Sequence, residues 1–285
     1  MKHSIWLRIL AMLLVMLLVS PCFILCIKSL SEESTSDKEI VVTEPVTETT
    51  EVIVEETVED GRIDIPITYP EVKYEEPITY YEAVDQRDAI LFYIDELNTA
   101  IASGKYTFDA MYVMVEEMTR LEQDALLLLV DISKFQSWMN QYPYATEVWF
   151  RLRSEGMSPA AVAGILGNMM AETGGGTLNF RPGAYDGSGC FYGICQWSTY
   201  YYPQVNGADF DYQVNFLIET MPKEYKNFGF AYQRGFTLED FYNMESPEAA
   251  AMAFAKIYER CGSSSYSWRQ HGARVAYDYF MGGND

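Results

Sequence analysis

Apolar residues fall along this chain in distinct rhythms. From Ile9 to Ile27 they run for 19 residues without a charge; Lys2 and Arg8 precede them and Lys28 follows. A run of that length can cross a hydrocarbon core of about 30 Å. Positive charge ahead of it favours an N-terminus inside and the remainder outside. This predicts a cytoplasmic N-terminus at 1–8 and a transmembrane anchor at 9–27. A cleaved signal peptide is the other reading, although no A-x-A site stands out and the run exceeds an ordinary signal core. Pro21 argues against a lipid-attachment site at Cys22.

Over 28–85 the rhythm gives way to Glu, Thr and Val in phrases such as TEPVTETTEVIVEETVED, which predicts a disordered acidic linker. Helical spacing returns over 86–142. Ile90, Ile94, Leu97 and Ile101 share one face of Asp88–Ser103, and Gly104 ends that helix. Thr107 caps a longer pattern carried by Phe108, Met111, Val115, Met118, Ala125, Leu128, Ile132, Phe135 and Met139. The short Gly-Lys-Tyr turn between them predicts an antiparallel helical hairpin, its methionines serving as core. The ALLLLV run at 125–130 exceeds one stripe, so it is expected to meet the C-terminal domain or another copy of the chain.

After Pro143, residues 145–285 form a third region. Thr146–Gly156 reads as a short helix, and Ser158-Pro159 opens another with Val162, Ile165, Leu166 and Met169 on one apolar face. Gly174, Gly175 and Gly176 stop it, leaving Glu172 in its last turn. Turn residues and aromatics between Gly183 and Thr199 predict two or three short strands. Helices follow at Asp209–Tyr225, after a capping box at Thr237, from Ser246-Pro247 to Arg260, and at Tyr266–Met281. Helices around a small sheet make this an α+β domain, and about 140 residues suffice for a stable core.

The net charge of −21 refines this division. It is concentrated in 31–85, which hold 17 acidic and 3 basic side chains, so the acidity belongs to the linker. It argues against a nucleic-acid partner. The five cysteines are Cys22, Cys26, Cys190, Cys195 and Cys261. Cys190 and Cys195 are close enough to bridge a tight hairpin in an exported domain, or to remain free thiols.

Candidate chemistry centres on Glu172. The end of a helix carries partial negative charge, which favours the protonated carboxyl. A carboxyl that keeps its proton near neutrality can protonate a leaving oxygen, as glycosidases require. The plainer reading is a solvated helix-end residue. A glycosidase usually wants a second carboxyl, and Asp186 is the candidate at the start of the sheet; Asp-Gly is also a common turn choice. Gly193 is expected where backbone approaches a ligand or neighbouring strand. Trp197, Tyr200, Tyr201 and Tyr202 can stack on sugar faces or serve as core.

GILGNMMAET followed by YGICQWS resembles the lysozyme-like domain of phage tail lysozymes, and is more distantly similar to goose-type lysozymes and lytic transglycosylases. Gly193-Ile194-Cys195-Gln196 lies where those relatives carry a GLMQ strand, and FAKIYERCG and SWRQHGARVAYDYF resemble the closing helices. The likeness runs from Thr146 to Phe280. It implies that 145–285 is a catalytic domain cleaving the glycan strands of peptidoglycan, with Glu172 as general acid and Gln196 lining the glycan cleft, its amide toward the N-acetyl group. Goose-type enzymes have a further Asp after the GLMQ-like strand; here Ser198 stands there, which leaves the water-activating group open and admits a transglycosylase outcome.

Three other readings stand beside it. Cys195 with His271 would make a thiol amidase or endopeptidase, because His3 precedes the membrane span and leaves His271 the sole base. One usable histidine does not make a usual zinc site. An inactive wall-binding scaffold is the third. The leading expectation is a membrane-anchored, outward-facing muramidase that needs no cofactor. Its partners would be peptidoglycan, the membrane and a conjugation or secretion machine, with self-association through the hairpin.

Overall fold

A computed structural model describes residues 61–282. The expected span at 9–27 and the linker before residue 61 lie outside the described residues. No helix within the described residues is long and apolar enough to cross a membrane.

The hairpin is formed by α1 (Tyr80–Ala102) and α2 (Phe108–Gln141). α1 begins earlier than the apolar pattern suggests, because Thr79 and Glu82 form a capping box. α2 starts after Thr107, whose hydroxyl accepts from the Ala110 N–H. Its buried residues Met114, Met118, Leu121, Ala125, Leu128, Ile132 and Phe135 alternate in steps of four and three, a heptad seam. The seam lies slightly rotated from the expected face: Phe108 is exposed and Val115 half-buried, while Met114 and Leu121 are buried. Leu126, Leu127 and Val130 stay exposed, so the second surface expected for the ALLLLV run is not present among the described residues.

Residues 61–79, inside the expected linker, run along this hairpin. Ile63 bridges Tyr106, Arg120 donates to the carbonyls of Tyr69 and Val72, and Tyr74 donates to Asp131 at 2.9 Å.

The C-terminal domain comprises α3 (Pro143–Ser154), α4 (Pro159–Glu172), β1 (Phe191–Tyr192), β2 (Trp197–Ser198), α5 (Phe210–Phe228), α6 (Leu238–Tyr242), α7 (Pro247–Phe254) and α8 (Tyr266–Met281). β1 and β2 pair antiparallel, Tyr192 opposite Trp197, and Tyr185 adds an isolated bridge to Tyr192. Phe135 and Trp138 of α2 meet Phe150 and Phe280, and Trp149 stacks on Phe280 at 4.5 Å, so hairpin and domain share an aromatic junction.

α4 is the centre of the domain. Every residue from Ala160 to Met170 is buried, not one apolar face as its spacing suggested. A helix apolar all round belongs in a core. Small residues allow neighbouring helices to close on it from several sides. A Cβ on Gly164 would lie 2.5 Å from the Ala250 Cβ of α7, and one on Gly167 would lie 2.3 Å from the Ala273 nitrogen of α8.

Candidate active site

α4 presents its last residue, Glu172, at the edge of this core. Ser158 caps the start of the helix, and Thr173 with the following glycines ends it. Asn168 is fully buried one turn earlier. Its amide donates to the carbonyls of Gly164, 2.8 Å, and Ala251, 3.1 Å, while its oxygen accepts from Arg269 Nη1 at 2.8 Å. Arg269, on α8, then donates through Nη2 to Glu172 Oε1 and through Nε to Ser265. Its side chain is 5 % exposed against 20 % for Glu172. Burial works against the Arg269 cation, but Glu172 and Glu259 outweigh it and raise its pKa. The Glu172 carboxyl is thus an ion-paired group held in one direction, and not the unattended helix-end carboxyl that the sequence suggested.

The short sheet faces this cluster through a strained turn. Gly193 has φ 85° and Gln196 φ 47°. A Cβ on Gly193 would fall 2.3 Å from Gln213 Oε1, so a buried side chain of α5 dictates this glycine. Gln213 accepts from the Ile194 N–H and donates to the carbonyls of Pro182 and Ala208, locking the turn. The Gln196 amide donates to Ala184 at 3.1 Å and to Gly193 at 2.9 Å, which leaves its oxygen as the free end. Trp197 is buried, and its indole donates to the Tyr258 hydroxyl at 3.1 Å.

Gln196, Trp197, Ser198 and Tyr201 line a cavity of about 500 Å³ together with Glu224, Glu259 and Arg260. Glu172 is not on its wall; Cys195 and Glu259, which are, both feel its charge. Glu224 is occupied, accepting from Arg260 Nη1 and from the Tyr202 hydroxyl. Glu259 is only partly so: the Cys195 thiol hydrogen-bonds its carboxyl, while its Oε1 is buried and has no hydrogen-bond partner. Burial first, and the charge of Glu172 second, push its pKa up to about 8 against the opposing pull of Arg269.

Asp186 does not line that cavity. Oδ1 accepts from the N–H groups of Cys190 and Phe191, at 2.9 and 3.0 Å, and Oδ2 from the Ser188 hydroxyl and N–H. The Ser188 hydroxyl, followed by these N–H groups, holds its carboxyl below the usual range. Such bonds fasten a loop.

The thiol pair is not assembled. Cys190 and Cys195 are both free, the first exposed and the second buried. Burial, with Glu259 and Glu172 nearby, pushes the Cys195 thiol well above its ordinary pKa, the reverse of what a nucleophile needs. His271 opens onto a separate surface hollow with Ser246, Glu248 and Arg274. No cluster of residues suited to a metal ion occurs among the described residues.

Sequence reasoning passed over three residues of the cluster around Glu172: Asn168, Arg269 and Glu259. Asn168 had a signal, since a lone amide in an otherwise apolar helix requires buried partners. Arg269 had a weaker one, its place beside Gly272, Ala273 and Ala276 on the packed face of α8. Glu259 had none, because its direction depends on a local change of helical pitch.

No curated protein matches this chain. The family model described as phage tail lysozyme matches residues 143–280, a range that takes in α4, the sheet, Glu259 and Arg269. The C-terminal domain of this chain, residues 143–280, belongs to the phage tail lysozyme family.

Proposed function

We propose that the chain is a muramidase that cuts the glycan strand of peptidoglycan between N-acetylmuramic acid and N-acetylglucosamine, with Glu172 as general acid. The observation that carries this reading is the fixed carboxyl of Glu172 beside a cavity walled by Gln196, Trp197 and Tyr201, within the family-matched domain. Asn168 and Ser265 hold Arg269, Arg269 holds Glu172, and proton transfer therefore starts from a defined position. Glu172 passes its proton to the glycosidic oxygen, the bond from that oxygen to the muramic acid C1 breaks, and water adds to the oxocarbenium-like carbon. The free Gln196 oxygen is suited to accept from the N-acetyl N–H.

A second reading is favoured by one observation. The oxygens of Asp186 are tied into their loop and Ser198 stands on the cavity wall, so no free ionised carboxylate is evident to activate water. The sugar's own hydroxyl would then attack C1, which is the lytic transglycosylase outcome.

The chain would act outside a cell membrane, tethered by residues 9–27 and spaced from it by the acidic linker, for local wall opening beside a secretion or conjugation machine. Detection of the chain in the cytosol alone would overturn this location. The activity is tested by digesting purified peptidoglycan with the full chain in detergent, beside Glu172→Gln, and identifying products by mass spectrometry. Reducing muramic acid ends lost in the variant establish the muramidase, and anhydro ends the transglycosylase. Released peptides, or no products, overturn both.

A further inference from the structure

α7 does not simply end. At Ala255–Glu259 it widens into a π-turn, and Arg260 closes it in the left-handed region at φ 51°. A π-turn inserts one residue into a helical face and re-aims the side chains after it; such turns occur frequently at functional sites. Here it turns Tyr258 to bond Trp197 and Thr220, and sets Glu259 on the cavity wall. A left-handed non-glycine residue costs on the order of 1–3 kcal/mol, and a buried polar atom without a partner costs a similar amount. Both penalties fall on adjacent residues, and both attend one carboxyl that keeps a buried oxygen without a partner.

We propose that Glu259 is a substrate-binding group of the cleft, donating a hydrogen bond from its carboxylic acid to an oxygen of a bound N-acetyl sugar. The proposal rests on the glycan reading of the cavity. Of the two carboxyls on that wall, Glu224 is satisfied by Arg260 and Tyr202, whereas Glu259 has capacity unspent. A neutral acid offers a donor that a carboxylate lacks. The groups around it set that state. Glu172 from α4 opposes a second negative charge, while Arg269 from α8, engaged by Glu172, a hydrogen bond from the uncharged Cys195 thiol, and Arg260, turned to Glu224, pull the other way without outweighing burial. Gln196, which also lines the cavity, supplies an acceptor, so the lining offers one acceptor and one donor, the pair that an N-acetyl group with its N–H and carbonyl requires.

The test is calorimetric binding of tetra-N-acetylchitotetraose to the full chain in detergent at pH 6.5 and pH 9.5, for the native protein, Glu259→Gln and Glu259→Ala, with circular dichroism confirming the fold of each. The native chain should bind at pH 6.5 and weaken at least tenfold at pH 9.5, where Glu259 ionises. Glu259→Gln, a neutral donor of similar shape, should bind within about threefold of the native pH 6.5 value at both pH values. Glu259→Ala should be at least tenfold weaker at both. Binding by Glu259→Ala equal to the native chain overturns the role of Glu259 and leaves the glycan reading intact; so does a glutamine variant as weak as the alanine one. If Gln and Ala both unfold, native binding that stays constant between the two pH values overturns it equally. A native chain that neither binds the tetrasaccharide nor cleaves peptidoglycan overturns the glycan reading and this role with it.

Discussion

Along the hairpin seam, apolar side chains meet apolar side chains at heptad spacing and the charges stand outside. In the cleft, a carboxyl with an unpartnered oxygen, an ion pair and a thiol are instead held away from water, next to two non-glycine residues in left-handed backbone. The first arrangement satisfies each residue locally. The second satisfies residues only through partners distant in sequence, such as Asn168 and Arg269, or leaves them unsatisfied. Both non-glycine residues in left-handed backbone line the cavity, and so does one of the three buried polar atoms without a partner, the others being on Thr146 and Tyr225.

The sharpest way to break this comparison is to alter one atom group in each region. Glu172→Gln should lower glycan cleavage by roughly 10²–10⁴-fold, the usual worth of a general acid, and should also lower the thermal midpoint, because the buried Arg269 cation loses its charge partner. Release of reducing ends from peptidoglycan measures the first and a melting curve the second. Leu128→Ala empties a fully buried seam position and should cost about 2–5 kcal/mol in stability, read from a denaturant midpoint. Cleavage per folded molecule should stay within about twofold, since a seam residue has no partner in the site. A seam mutation that abolished cleavage in folded protein would show that the regions are functionally joined through the aromatic junction.

The same contrast explains what the sequence made legible. In the hairpin, the Thr107 cap, Gly104 and the apolar rhythm act within a few residues of one another, so the elements could be placed; only the helix start at Tyr80 escaped, because its signal lay in Thr79 and Glu82 rather than in apolar spacing. In the domain, α8 and the Thr237 capping box were likewise local and legible. Glu172 was placed by the helix stop, but its charge partner was not, since Arg269 is 97 residues away. Asp186 was chosen because sequence shows which residues are acidic and not which have their oxygens occupied. Gly193 was expected where backbone approaches a ligand or a neighbouring strand, and the atom that approaches it belongs to Gln213 on a helix. Glu259 was hidden by the π-turn, which breaks the periodicity that any reading of spacing depends on.

A smaller effect separates the regions by pH. Glu259 is raised from its ordinary 4.5 to about 8 in the folded protein. Between these values the folded chain binds a proton that the unfolded chain has released, so stability falls as pH rises. The contribution is fully present below about 4.5 and lost by the time the pH passes about 8, and the total is on the order of a few kcal/mol. Glu259→Gln should remove this slope and be more stable than the native chain at pH 8.5, as chemical denaturation across pH would record. Because the hairpin has no comparably raised acid paired with a second carboxyl, a slope that persists unchanged in Glu259→Gln would mean that the cleft does not hold its charge as described.

The smallest effect sharpens the other side of the comparison. Thr79 and Glu82 reciprocate at the start of α1, the Thr79 hydroxyl accepting from the Glu82 N–H at 3.1 Å and the Glu82 carboxylate from the Thr79 N–H at 3.3 Å. Glu82 also accepts from the Ile78 N–H at 2.7 Å, so the cap fastens the incoming strap as well as the helix. Thr79→Ala should cost about 1 kcal/mol, visible as faster amide exchange over the first turn of α1. Cleavage should not change, because a cap is satisfied within its own turn and sends nothing onward. Loss of exchange protection spreading from Thr79 to α4 would contradict that locality: the hairpin would then be part of the scaffold that aims Glu172, and its regularity would serve the site.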